Sequence, residues 1–542
     1  MKKNFTIKTI GCKVNTYESM KIRDELIKSG FNYIDVEEKE KYNELDFYIV
    51  NTCSVTKIAD KKSRQMLHLA KKYNPNVLVI AIGCMVDSLS VEADNIHPFV
   101  GANAEAVVAK HCNTALSGVD YLINNQQKSH FVEFLLSLLE SQSTPVEADT
   151  IPPFVGANEE AVGAKQCEPA PVVENTEVVG ANEEVVGAKQ CEPAPVAFVG
   201  AKACGAHICT GELCEPAPVA FVGAKACGAH ICTGELCEPA PVSSPPSTCT
   251  RNRAFIKIQD GCNQYCSYCI IPFLRGNIKS RSNEEIINEI KEMVSSGIKE
   301  IVLTGIHLSS FGLDRVNKTY ESIGAIDIAR KELITIMTQI SEIEGLDRIR
   351  LGSLEPRIIN DYFLSSVSAN LKSLLSTKFC ASFCLSLQSG SDKTLKRMNR
   401  HYTTKDFENA CQLIRKYLPY ATITTDVIVG FPGETEEDFE ESLDFVKRMR
   451  FYNPNIFPFS RRQGTKADKM PNQIKNEEKH RRVVLMIKEC EKISKEIEKE
   501  YFEKYKDKAL DLLIEETIEE NGIKYGVGYT KEYIKCKVRL LF

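Results

Sequence analysis

The stretch "GCNQYCSYCIIP", residues 261–272, places three cysteines, Cys262, Cys266 and Cys269, within eight residues and no histidine beside them. It follows a strand-like segment, "AFIKI", and precedes a helical one, "NEEIINEIKEMVSSG". The spacing therefore falls on a loop between a strand and a helix. Structural zinc takes four ligands in closed coordination. Three thiolates suit a four-iron cluster that keeps one iron open. An open iron can bind a small molecule, so the missing fourth ligand is itself a site. A zinc loop that borrows a distant ligand is the alternative.

Outward from this loop, "AFIKI", "EIVLTGI", "RIRLGS", "FCLSLQSG", "TITTDVIVGF" and "NIFPFS" read as six strands separated by helical stretches. That alternation predicts an open α/β barrel of the TIM kind over 251–475, with its chemistry at the C-terminal strand ends. A charged helix follows at about 475–506, and then a few antiparallel strands to residue 542. Toward the N-terminus, 1–142 alternates in the same way. "NFTIKTIGC", "DFYIVNTC" and "VLVIAIGC" read as strands, with helices near 17–29 and over "IADKKSRQMLHLAKKY". "VDYLINNQQKSHFVEFLLSLLE" adds a strand and a closing helix, which predicts a parallel α/β domain.

Cys12, Cys53 and Cys84 each stand just after one of those strands, in "TIGC", "VNTC" and "AIGC". In a parallel sheet the three ends share one edge, so residues far apart in sequence can line one site. Cysteine is also a common buried hydrophobe. The repeated position favours a shared ligand set over three packing cysteines.

Composition sets the frame. The chain has 542 residues, 43% hydrophobic and 26% charged, with a formal charge of −5 and 21 cysteines. That is enough for two to four domains and gives no overall nucleic-acid signature. No apolar leader follows Met1, and the longest apolar run, "VLVIAIGCMV", is about half of what a membrane helix needs. A cytoplasmic protein without membrane contact is expected. Its cysteines are then thiols, metal ligands or catalytic groups rather than disulfides.

Residues 143–250 break the pattern. "AFVGAKACGAHICTGELCEPAPV" occurs at 197–219 and again at 220–242. The stretch reads as a Pro/Ala/Cys-rich insertion that serves as a flexible tether. Its cysteines at 204, 209, 214, 227, 232 and 237, with His207 and His230, leave metal capture as the other reading.

The cysteine loop resembles that of radical S-adenosylmethionine (SAM) enzymes. The resemblance implies that Cys262, Cys266 and Cys269 hold a [4Fe-4S] cluster whose open iron binds SAM, and that this cluster makes a 5′-deoxyadenosyl radical. It places Tyr268, Gly305 in "VLTGIH", Glu355, Gln388 and Gly430 in "DVIVGFPGET" around the bound SAM. "TIGCKVNTYES", "VNTCSVTKIADKKSRQ" and "DGCNQYCSYCIIPFLRG" are similar to the methylthiotransferases within that family, and to the branch that acts on threonylcarbamoyl-adenosine beside the tRNA anticodon. A second [4Fe-4S] cluster on Cys12, Cys53 and Cys84 is then implied. So are methylthiolation of C2 of that adenine, a tRNA substrate and an electron donor such as flavodoxin or ferredoxin. Lys57, Lys61, Lys62, Arg64, Arg461, Arg462, Lys466 and Lys469 are candidate phosphate contacts, against an ordinary solvated face.

Segment 476–542 resembles a linking helix and the start of a TRAM domain, a small RNA-gripping β-barrel, which the chain is expected to leave incomplete. Ser382 and Cys384 stand where the family usually carries histidines. Cys384 is expected to point into the barrel. Methylthiolation of isopentenyl-adenosine or of a ribosomal protein, and a non-catalytic iron–sulfur scaffold, are the competing functions.

Overall fold

A computed structural model describes residues 3–36, 38–92, 107–108, 118–143, 252–368, 373–506 and 508–540. All belong to one compact unit of the chain. The repeats expected over 143–250, with their cysteines and histidines, lie outside the described residues.

The N-terminal strands form where apolar runs end in small or polar residues. They are β1 (Asn4–Thr9), β2 (Asn32–Tyr33), β3 (Phe47–Thr52), β4 (Leu78–Gly83), β5 (Val107–Val108) and β6 (Tyr121–Ile123). Their order in the sheet is β2-β1-β3-β4-β6-β5, parallel except for β5. Every residue of β3 is buried, because helices cover both faces. Phe47 and Ile49 pack with Ile22 and Leu26 of α1 (Lys13–Lys28). Tyr48 and Val50 pack with Leu67 and Ala70 of α2 (Lys57–Tyr73). Each such side chain is worth about 1.5–3 kcal/mol of burial. α3 (Cys84–Glu92) and α4 (Phe131–Ser143) complete the layer.

Register matters most for the chemistry. Thr9 pairs with Asn51, Asn51 with Ile82, and Thr52 with Gly83. The three strands therefore stop at one level. α1 starts at Lys13, directly after Cys12, and α3 begins at Cys84 itself.

The second half is the expected open barrel. β7 (Arg253–Asp260), β8 (Lys279–Ser280), β9 (Glu300–Gly305) and β10 (Arg348–Leu351) lie in the order β10-β9-β7-β8. β11 (Ser353–Leu354), β12 (Ser382–Gln388), β13 (Thr422–Val429) and β14 (Asn455–Pro458) lie in the order β11-β12-β13-β14. β10 and β11 are one extended stretch interrupted at Gly352, whose N–H still donates to the Leu303 carbonyl. Six parallel strands thus follow each other, with β8 antiparallel at one edge. Capping boxes on Ser282, Thr403 and Thr435 fix three helix starts.

β15 (Leu512–Glu520), β16 (Ile523–Thr530) and β17 (Lys535–Arg539) form an antiparallel sheet after the long helix Asn476–Lys504. This sheet packs under the lower ends of the barrel strands. Arg348 donates to the carbonyls of Tyr529 and Asp511, and Arg350 to that of Lys531. Glu300, fully buried, accepts from Arg253 at 2.7 Å and Arg350 at 2.8 Å.

Candidate functional site: two cysteine trios joined by a short helix

The first trio sits where β7 ends. Gly261 turns the chain with φ +68°, and a Cβ there would stand 1.8 Å from the Asn277 carbonyl oxygen, so only glycine fits. The Cys262 N–H donates to the Gly276 carbonyl at 3.0 Å, which closes the loop on itself. Further on, the Ser267 N–H donates to the Met398 carbonyl and Ser267 Oγ to that of Arg397. α5 (Ile271–Arg275) leaves the loop with Pro272 in its first turn.

Burial pushes the Cys262 thiol up to about 11 and raises that of Cys269 further. Bare Cys262 and Cys269 thiols in this setting stay protonated at neutral pH, and a bound metal core would favour their thiolates. Arg400, enclosed beside them, donates from Nη1 to Cys266 Sγ at 3.1 Å and lies over the Tyr402 ring. The Tyr402 hydroxyl donates to the Leu387 carbonyl at 2.8 Å, beside Gln388. Gln388 has φ +69°, an uncommon conformation for a side-chain-bearing residue.

The other predicted SAM contacts gather at the same strand ends. Tyr268 packs edge-to-face on Phe431 with centroids 6.4 Å apart, which joins the loop to "GFPGE". Glu355 is buried and accepts from the Tyr320 hydroxyl at 2.8 Å and Arg357 Nε at 2.7 Å. Gly305 and Gly430 are each held close against other parts of the protein. The face a Cβ would occupy at Gly305 meets Gln259 Oε1 at 2.8 Å, and at Gly430 it meets Lys479 Cγ at 2.4 Å. These glycines make room for protein side chains. Gln259 in turn accepts from the His307 N–H at 2.8 Å, locking β7 to β9.

The second trio assembles as the sheet register dictates. Cys53 and Cys84 are buried and Cys12 reaches solvent. Gly11, with φ +116°, lies so close to Cys53 that a Cβ would stand 2.9 Å from its sulfur. The Cys53 N–H donates to Ser63 Oγ, and Ser54 Oγ donates to the Cys84 carbonyl. Burial, with the neighbouring Cys84 and Cys12 thiolates adding to it, pushes the Cys53 thiol up to about 12. Cys84 packs against Ile270 and Leu274, which lie just beyond the first trio.

Both places fit the implied groups. Each offers three thiols. Among the described residues no three ligating side chains close tightly enough to hold a single metal ion. Three thiolates with one open position are what a [4Fe-4S] core of this kind takes. Beside the first trio, Asn263 Oδ1 and His307 Nε2 are buried without a partner among the described residues. They suit a polar ligand. Burial and the nearby Arg400 and Arg357 push His307 down to about 3, so its ring is neutral.

The phosphate candidates divide. Lys57, Lys61, Lys466 and Lys469 are exposed. Arg64 pairs with Asp60 and Arg461 with Asp468. Arg462 is 8% exposed, which corrects its place among surface contacts. Cys384 does face the barrel interior side of β12, with Ser353 Oγ 3.2 Å from its sulfur. Arg275 and Arg400 were not singled out by sequence reading. The one available signal was a charged residue directly after an apolar turn, in "IIPFLRG".

The family model described as "Radical SAM superfamily" matches residues 256–446, and that described as "Uncharacterized protein family UPF0004" matches 4–102. The chain is 29% identical over 488 residues to "Threonylcarbamoyladenosine tRNA methylthiotransferase MtaB" of Bacillus subtilis, covering 90% of this chain and 80% of that protein. It is 28% identical over 473 residues to the protein of the same description from Aquifex aeolicus, covering 86% and 84%. It is 44% identical over 230 residues to "tRNA-2-methylthio-N(6)-dimethylallyladenosine synthase" of Clostridium beijerinckii, covering 42% of this chain and 47% of that protein. The first match falls on the barrel that carries Cys262, Cys266 and Cys269, and the second on the sheet that carries Cys12, Cys53 and Cys84. With both matches in this order, the chain carries a radical SAM domain behind a UPF0004 domain, and over most of its length it is similar to tRNA methylthiotransferases.

Proposed function

We propose that the protein methylthiolates C2 of N6-threonylcarbamoyladenosine next to the tRNA anticodon. The observation that carries this is the meeting of two cysteine trios, one at the barrel mouth and one at the edge of the N-terminal sheet, across a single short helix. Two [4Fe-4S] clusters and SAM, when bound, supply the one-electron chemistry that an unactivated aromatic C–H needs. The chain's own residues do the rest. Cys262, Cys266 and Cys269 hold one cluster, and Cys12, Cys53 and Cys84 the other. Tyr268, Gln388 and the Gly305 and Gly430 turns shape the SAM pocket. Glu355 accepts from Tyr320 and Arg357 and fixes the loop below it.

Substrate enters from the open mouth. Lys13 follows Cys12 in an exposed position, and its charge acts on Asp426 and Cys384, which face the barrel interior. It suits the carboxylate of the threonyl substituent. Tyr265 and Phe273, 47% and 58% exposed with ring centroids 6.2 Å apart, offer faces for unstacked anticodon bases. Lys57, Lys61, Lys466 and Lys469 position phosphates. A cytoplasmic enzyme of this kind draws its electron from a small carrier such as flavodoxin or ferredoxin. Among the described residues no helix is long and apolar enough to cross a membrane.

The test is mass spectrometry of tRNA nucleosides from cells with and without this chain. Loss of the 2-methylthio form of threonylcarbamoyladenosine, restored by the wild-type chain and not by Cys84→Ala, supports the reading. Loss of the isopentenyl form in its place moves the substrate to the other tRNA branch. Unchanged nucleosides overturn the enzyme and favour a scaffold.

A further inference from the structure

The two trios are connected through one side chain. Arg275 closes α5, six residues after Cys269, and its side chain is 2% exposed. The next residue, Gly276, takes the Cys262 N–H, so the Arg275 backbone is pinned to the first trio. Its guanidinium crosses into the N-terminal domain. Nη2 donates to Asn15 Oδ1 at 2.8 Å, and Nη1 donates to Glu18 Oε1 at 2.9 Å and Asp260 Oδ1 at 3.1 Å. Asn15 Nδ2 then donates to the carbonyls of Ile10 and Thr52, the residues that lead into Cys12 and Cys53. Beside Arg275, Leu274 packs on Cys84, while Asn125 Nδ2 lies 3.4 Å from the Leu274 carbonyl oxygen and 3.5 Å from Cys84 Sγ. All three loops of the second trio are thus tied to the α5 end.

Charge is arranged to match. Lys128 and Lys257 share Glu18 with Arg275, and Lys257 and Arg275 share Asp260. The remaining acid nearby, Asp87, accepts from Asn125. Arg275 Nε is buried with no partner among the described residues. Burial disfavours the charge on this guanidinium, and the carboxylates of Glu18 and Asp260 against it outweigh that cost. Orphaned buried donors are rare, and this one belongs to the cation that touches the second trio's supports.

We propose that Arg275 is a positioning residue for both metal centres: it fixes the second trio against the first and supplies the buried positive charge that an anionic iron–sulfur core on Cys12, Cys53 and Cys84 requires. The inference rests on the two-cluster reading above. A nearby cation stabilises the more negative, reduced form of a cluster and so sets its potential.

The experiment uses the full chain carrying C262A, C266A and C269A, which leaves only the second trio. It is reconstituted anaerobically with iron and sulfide, and its potential is read by an EPR-monitored redox titration. R275Q is expected to shift the potential to more negative values, and R275K to return it toward the parent. E18Q, which removes a facing anion, is expected to shift it the opposite way. If R275Q loses its iron, recovery of iron and potential in R275K carries the same conclusion. Iron and potential in R275Q equal to the parent's overturn the inference, as does failure of R275K to recover either. A parent chain that binds no iron overturns the two-cluster reading and this inference together.

Discussion

The two cysteine trios are chemically alike and are built in opposite ways. Cys262, Cys266 and Cys269 come from one loop, closed by its own hydrogen bond from Cys262 to Gly276. Cys12, Cys53 and Cys84 come from three strand ends and meet because parallel register stops β1, β3 and β4 at one level. The ligands of the first site are local in sequence, on a loop that Gly276, Arg397 and Met398 brace. Those of the second depend on a folded sheet. A site with local ligands has fewer elements to align, whereas an assembled one depends on every element that sets the register.

That contrast breaks most readily at the cysteines themselves. Cys269→Ala and Cys84→Ala are each expected to abolish methylthiolation. Each should lower anaerobically reconstituted iron from about eight to about four per chain. Zinc or unchanged iron in either variant removes the comparison altogether. Next in size is Glu300→Gln at the barrel base. It strips the shared partner of Arg253 and Arg350 and is expected to cost about 3–5 kcal/mol. A thermal melt reads this, and the iron content of the surviving folded protein should hold. A smaller effect is expected from Tyr265→Ala and Phe273→Ala. Each should weaken tRNA binding by about 1–3 kcal/mol, seen as a raised KM with iron unchanged. Smallest is Ser282→Ala, which removes a helix cap at about 1 kcal/mol and should move the melt alone.

Much of this was legible in the sequence because the deciding signals were local or repeated. The first trio announced itself by spacing. The second announced itself by three cysteines in one structural context, and the strand runs around them formed as their apolar periodicity implied. What stayed hidden was burial. Nothing in "RRQGTKA" shows that Arg461 is outside and Arg462 inside, because that depends on how the loop packs. Nothing local marks Arg275, whose partners Asn15 and Glu18 lie in the N-terminal domain, or Arg400, whose partner Cys266 lies far back along the barrel. The neighbours that demand glycine at 305 and 430 are Gln259 and Lys479, which lie too far away in sequence to be read from either motif.

The sheet of β15, β16 and β17 has a consequence for traffic through the barrel. Its carbonyls at Tyr529 and Lys531 are taken by Arg348 and Arg350, and Tyr533 stacks beneath Arg350 and Arg253. The lower end is thereby corked. Among the described residues, this sheet therefore braces the strand ends opposite those that carry Cys262, Cys266 and Cys269, and the chemistry is left to the other face.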